Sequence, residues 1–147
     1  MNIFKKTAAF LTALMLSSCA TQNVAIEESN FSVKQHRVAI VAALGLVRGV
    51  SQNGREILSL YHDRKLKNID VTAKTKERLY TKAVVLGSRR PYSVSVEVHV
   101  EKRDPDSKEF QDVGVDERLS AKRTLAIREM LNQSREEGGT FDEEAPF

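Results

Sequence analysis

Residues 92–102 read Tyr-Ser-Val-Ser-Val-Glu-Val-His-Val-Glu-Lys, and this stretch decides the fold class. Side chains alternate along an extended chain, so Val94, Val96, Val98 and Val100 fall on one side and Ser93, Ser95, Glu97, His99 and Glu101 on the other. β-Branched residues at every second place predict a strand with one dry and one wet face. Such a strand belongs to an antiparallel sheet packed on one side only. Upstream, Arg78–Leu86 is rich in β-branched and aromatic residues and reads as the hairpin partner, joined through Gly87-Ser88-Arg89-Arg90-Pro91.

The valine face needs a cover, and two helical patterns are the candidates. Ser32 and Gln35 have capping-box spacing, and Val33, Ile40, Leu44 and Val47 follow at helical intervals. They predict a helix over 32–53, ended by the turn signal Ser51-Gln52-Asn53-Gly54. Gly45 and Gly49 then form a Gly-x-x-x-Gly on that helix, read as a place where another element of the domain approaches closely. The second helix opens at Asp116 as N-cap, carries Leu119, Ala126, Ile127, Met130 and Leu131 at helical spacing, and runs to 137, where Gly138 stops it. Arg55–His62 fits a strand or a helix, and the alternation of Ile57, Ser59 and Tyr61 favours the strand. Asp63–Lys76 reads as a long connection, mobile or functional, and Phe110–Val115 as a short edge strand or an irregular link. The expected fold is α+β in two layers, an antiparallel sheet of three or four strands covered on one face by two helices.

The chain has 147 residues, 41% of them hydrophobic, with a single Cys and no Trp. That is one small domain with processing or tail segments, and no room for a multi-domain enzyme. One Cys excludes an internal disulfide and any Cys₄ or Cys₂His₂ zinc site.

That cysteine is informative by its position. Lys5 and Lys6 precede an apolar run from Thr7 to Leu16, which is too short for a membrane-spanning helix of roughly 20 apolar residues and reads as a removable targeting segment. It ends in Leu16-Ser17-Ser18-Cys19. The tetrapeptide resembles the lipobox of bacterial lipoprotein precursors, an aliphatic residue and two small ones before an obligatory Cys. The resemblance covers the signal segment alone. It implies cleavage before Cys19, acylation of its thiol and new amino group, and a bilayer as a permanent partner, since several acyl chains exceed what stable anchoring needs. Ala20 in place of Asp implies the outer membrane by the same resemblance, with the chain facing the periplasm.

The expected organisation is therefore a signal peptide at 1–18, a lipidated tether at 19–31, a periplasmic α+β domain at 32–137 and an acidic flexible tail at 138–147. Cleavage removes Lys5 and Lys6, so a net charge of +3 falls to +1. What remains is uneven. From Arg55 to Arg90 ten basic residues face four acidic ones, whereas Arg135 to Phe147 holds one basic residue and five acidic. Within the basic segment Arg64, Lys65, Lys67, Arg89 and Arg90 are the candidates for contact with an anionic surface. The competing reading is plain solvation of charged loops. Nucleic acid is not an expected partner, because the targeting segment leads out of the cytoplasm and no aromatics punctuate the basic run as stacking platforms.

Catalytic patterns are sparse. His36, His62 and His99 form no His-x-x-x-His or Glu-x-x-His pair and are read as solvated surface histidines. There is no Gly-x-Ser-x-Gly elbow and no Gly-rich phosphate loop, and no cofactor is implied. Glu97, His99 and Glu101 share the wet face. At about 3.3 Å per residue the two glutamates stand roughly 13 Å apart, too far for a glycosidase pair. They are expected to pair with basic side chains on the neighbouring strand, Lys82 among them. The functional expectation is a non-catalytic outer-membrane lipoprotein that scaffolds or binds an envelope protein. The alternative is a module for an envelope glycan, lipid or peptidoglycan fragment, held in a groove lined by Tyr61, Tyr80 or Tyr92. A hydrolase working through His99 and a carboxylate ranks third.

Overall fold

The computed structural model describes residues 24–136, in the order β1 (Val24–Ser29), α1 (Val33–Leu44), β2 (Val47–Val50), β3 (Glu56–Ser59), β4 (Glu77–Leu86), β5 (Tyr92–Arg103), β6 (Phe110–Val115) and α2 (Glu117–Glu136). The expected signal peptide, Cys19 and the acidic tail lie outside the described residues. The fold is α+β, an antiparallel sheet of six strands with two helices. Six strands replace the three or four expected.

The valine repeat forms β5, and its alternation holds throughout: Val94, Val96, Val98 and Val100 are buried. Leu79, Thr81, Ala83 and Val85 of β4 are buried beside them, brought there by a continuous register in which Thr81 faces Val98 and Ala83 faces Val96. Strand order is β1-β5-β4-β3-β2, with β6 also paired to β5. β1 and β6 lie end to end on one edge of β5, opposite Tyr92–Ser95 and His99–Arg103 respectively. The main core joins Ala39, Ile40 and Leu44 of α1 and Ile127 and Leu131 of α2 to Ile57, Ala83, Val85, Val94 and Val96 of the sheet. A smaller cluster of Leu79, Val98, Val100 and Leu119 takes in Leu66 from the long connection. Burying a side chain of this size stabilises by about 1.5–3 kcal/mol, so the valine face is a principal source of stability.

α1 begins with the expected capping box: Ser32 Oγ accepts from the Gln35 amide at 3.2 Å, and Gln35 Oε1 accepts from the Ser32 amide at 2.7 Å. Its end differs from the expected residue 53. Gly45 takes φ +78°, and its amide closes on the Val41 carbonyl at 2.8 Å, a conformation that suits glycine and stops the helix. Val47–Val50 then leaves as β2 and pairs with β3. Gly45 and Gly49 therefore share no helix, and the Ser51–Gly54 turn links two strands instead of ending a helix. Gly54 has φ +66°, and a Cβ there would meet Arg37 Nη1 at 3.1 Å.

Val24–Ser29, expected as part of the tether at 19–31, joins the sheet as β1. Register shifts on both sides of Ile26 interrupt the two-residue period, which hides this strand from pattern reading. Arg55–His62 contains the strand β3, Phe110–Val115 is the strand β6, and Asp116 caps α2 through Oδ1 to the Leu119 amide at 3.0 Å.

Candidate functional site

The register that buries the valines sends the intervening residues of β4 and β5 to the opposite face. Tyr80 stands opposite His99 and Arg78 opposite Glu101. The Tyr80 and His99 rings stack, 5.0 Å between centroids and 7° from parallel. Around that stack the fold gathers residues from far apart in the chain. Arg48 of β2 lies over both Tyr61 and Tyr80, 4.4 and 4.5 Å from the ring centroids, and donates from Nη1 to the Tyr61 hydroxyl at 2.6 Å. Arg78 is held between Tyr61 and Phe110, 3.9 Å from each centroid. Arg103 covers Phe110 again at 4.4 Å. The result is a row in which guanidinium groups alternate with aromatic faces, a stacking that suits arginine's flat, weakly hydrated cation.

Carboxylates orient this row. Arg78 Nε donates to Glu101 at 2.5 Å, with both side chains largely buried. His99 Nδ1 meets Asp112 Oδ2 at 2.7 Å, while Nε2 lies 3.3 Å from Glu97 without the alignment of a hydrogen bond. Burial, with Asp112 and Glu101 close by, pushes the Tyr80 hydroxyl's pKa up. Lys82 pairs with Glu56 of β3 at 3.3 Å, although Glu97 is its neighbour across the β4–β5 ladder.

The Asp112–His99 contact has the form by which a carboxylate orients an imidazole. The remaining nitrogen, Nε2, is buried with no hydrogen-bond partner, and the ring is stacked on Tyr80. The Asp112 contact and the Tyr80 stack together fix the orientation of the ring.

All three histidines depart from the expectation of solvated surface groups, His99 by its stack on Tyr80 and its contact with Asp112, the other two by burial. His36 and His62 are fully buried. His36 Nδ1 is 2.9 Å from the Ser32 carbonyl, and its ring is met edge-on by Phe31 and Tyr92. His62 bridges the Asp63 carbonyl and the Thr81 hydroxyl at 3.0 and 3.2 Å. Burial lowers the pKa of both, with Arg90 adding to the effect at His36 and Arg123 at His62.

The five basic candidates are not brought together. Arg64 fastens the long connection to the domain through Glu77 at 2.7 and 2.9 Å and Asp116 at 3.2 Å. The Arg64 guanidinium holds the Glu77 carboxyl below its usual range. Lys65 and Lys67 are exposed in a turn whose backbone amides donate to Asp63 Oδ1. Arg89 and Arg90 are exposed in the hairpin loop after Leu86, at the other end of β4. Ten strand residues separate the groups, about 30 Å. The tyrosines divide as well: Tyr61 and Tyr80 meet edge-to-face at 6.2 Å, whereas Tyr92 packs near His36 and Arg55. Cys19 lies outside the described residues.

Sequence reading missed Arg48, Phe110, Arg103 and Asp112. Arg48 sits in the segment read as a helix, Phe110 and Asp112 in the one read as an edge strand or a link, and Arg103 just past the valine strand, and no local pattern marks any of them. Among the described residues no three of His, Cys, Asp and Glu are grouped to hold a metal ion, and no helix is long and apolar enough to cross a membrane. No family model, no curated protein and no solved structure matches the chain.

Proposed function

We propose that the chain is a lipoprotein of the bacterial cell envelope, anchored in the outer membrane through acylated Cys19 and facing the periplasm. It acts without catalysis, as a scaffold that docks a protein partner on the face bearing Arg48, Arg78, Tyr80 and Phe110. The observation that carries the docking role is the Arg78 guanidinium held between Tyr61 and Phe110, 3.9 Å from each. Arginine and tyrosine are the residues that most often anchor interfaces. Here they are already ordered before a partner arrives, which lowers the entropy lost on binding.

Arg48 defines the chemistry of the partner. Its side chain is exposed, and its polar contact is a neutral hydroxyl, not a carboxylate. A protein surface that sets carboxylates beside apolar side chains would satisfy its charge and cover the rings. The domain is read as two layers, α1 and α2 lying over the valine face and the Tyr80–His99 face left to the partner. β1 starts five residues after Cys19, a reach of at most about 19 Å at 3.8 Å per residue, so docking takes place close to the bilayer.

Two measurements test this. A photo-crosslinker at position 48 in intact cells is expected to yield a discrete heterologous adduct that the same group at Leu125, exposed on α2, does not. Equal labelling from both positions, or monomer alone, overturns the docking face. Cys19→Ala is expected to release the protein from the membrane fraction, and unchanged retention overturns the anchor.

A further inference from the structure

Where β5 passes into β6, residues 73–76, 103–105 and Lys108 line a cleft of about 660 Å³. Its charged walls are Lys74, Lys76, Arg103 and Lys108, four cations, against the single carboxylate of Asp104. A volume of this order is that of a small-ligand site.

The charges are arranged unusually. The Arg103 guanidinium donates from Nε to the Thr75 carbonyl at 2.8 Å, from Nη2 to Thr72 at 2.9 Å and from Nη1 to Lys108 at 3.1 Å. All three acceptors are neutral carbonyls, so Arg103 is immobilised without an ion pair. Asp104 is the one anion of the wall and offsets part of its positive charge, that of Lys108 included. Its Oδ1 accepts the backbone amides of Asp106 and Ser107, both at 2.8 Å, which hold the carboxyl below its usual range. Lys108 Nζ donates to the Pro105 carbonyl. Among the described residues no ion pair involves Lys74, Lys76, Arg103 or Lys108. A concave wall with one fixed cation and three ammonium groups focuses a positive potential on whatever enters. It offers several N–H donors to a compact multiply charged oxyanion.

We propose that this cleft binds a phosphate-bearing anion, with Lys74, Lys76 and Lys108 meeting the phosphate oxygens and Arg103 supplying the fixed charge at the wall. The site adjoins the docking face, because Arg103 also lies over Phe110 at 4.4 Å, and it does not depend on the anchor. Its phosphate has two sources, a soluble phosphoryl compound or a lipid headgroup. β1 runs antiparallel to β5 from Val24, opposite Ser95, to Ser29, opposite Tyr92, so its anchor-side end is the one turned toward the cleft.

The test uses the full-length chain carrying Cys19→Ala, so that no acyl group contributes. It is titrated with inorganic phosphate, and separately with phosphatidylglycerol vesicles against phosphatidylcholine vesicles, at low and high salt, while amide resonances are followed. Saturable, salt-sensitive binding is expected, with shifts centred on residues 73–76 and 103–108. Lys74→Ala, Lys76→Ala and Lys108→Asn together are expected to weaken it at least about ten-fold, with Asn chosen because Lys108 has φ +63°. Lys65→Ala with Lys67→Ala is expected to leave it unchanged. Response to phosphate assigns a soluble ligand, and response to phosphatidylglycerol vesicles alone assigns a headgroup. No binding in either arm, shifts centred elsewhere, or an unaffected triple variant overturns the proposal.

Discussion

The guanidinium of Arg78 lies 3.9 Å from the centroid of the Tyr61 ring, bringing the first residues of β4 against the chain that leaves β3. Glu101 fixes the same guanidinium from the β5 side at 2.5 Å, and Phe110 covers its other face. Arg78 thus joins strand, connection and β6 at one point, and its loss is felt through each contact.

Arg78→Ala is expected to destabilise the domain by about 2 kcal/mol, as the loss of a partly buried ion pair and two cation–π contacts. In a double-mutant cycle with Tyr61→Ala, urea unfolding is expected to give a coupling of about 0.5–1 kcal/mol. Strictly additive single effects would show that the two side chains are merely adjacent.

His36 and His62 make stability depend on pH in a defined direction. Burial lowers both folded-state pKa values beneath the ordinary 6.5, so below that pH the unfolded chain binds more protons than the folded one. Stability from these groups is complete above about pH 6.5 and falls as the solution is acidified toward the folded values, by up to about 1.4 kcal/mol per pH unit for each histidine. Denaturant unfolding between pH 5 and 8, in steps of about half a unit, measures the slope. His36→Phe, whose ring suits the site between Phe31 and Tyr92, is expected to remove about half of it. A flat profile in the wild type would contradict neutral burial.

Arg64 makes an exposed clasp, and its removal separates electrostatics from stability. Arg64→Ala is expected to cost less than about 1 kcal/mol, since pairs of this kind are screened by solvent. The Glu77 carboxyl, held low by this guanidinium, is expected to rise toward its ordinary value. A carbon-detected NMR titration of Glu77 reads that shift, and an unmoved titration would mean that the clasp is open in solution.

The covering of the valine face by the helices is tested on α2. Ile127 is fully buried in the main core and Leu125, two residues earlier, is 61% exposed. Ile127→Ala is expected to cost about 3–4 kcal/mol and Leu125→Ala no more than about 0.5 kcal/mol. Similar costs at both positions would place α2 with another face toward the sheet.

The legibility of this chain follows the range of the interactions involved. The β4–β5 hairpin and the starts of α1 and α2 were readable because period, cap and turn are local: Val94–Val100, the Ser32–Gln35 box and Asp116 each carry their own instruction. The expected anchor at Cys19 also rests on contiguous residues and is a matter of sequence alone. The tertiary structure decided the rest. Leu46–Val50 continues the apolar pattern of α1, and it became a strand because Gly45 turns to positive φ and β3 offers an edge. β1 forms because β5 is longer than β6 and leaves Tyr92–Ser95 unpaired by it. The arginine–aromatic row joins residues from position 48 to position 110, and the basic cleft joins 74 to 108. No local window contains such separations. Charge counts placed the basic character in the segment 55–90, but only the fold separates Arg64 from Arg89 by the length of β4 and sets Lys74 beside Arg103, because a sheet brings together strand ends that are remote along the chain.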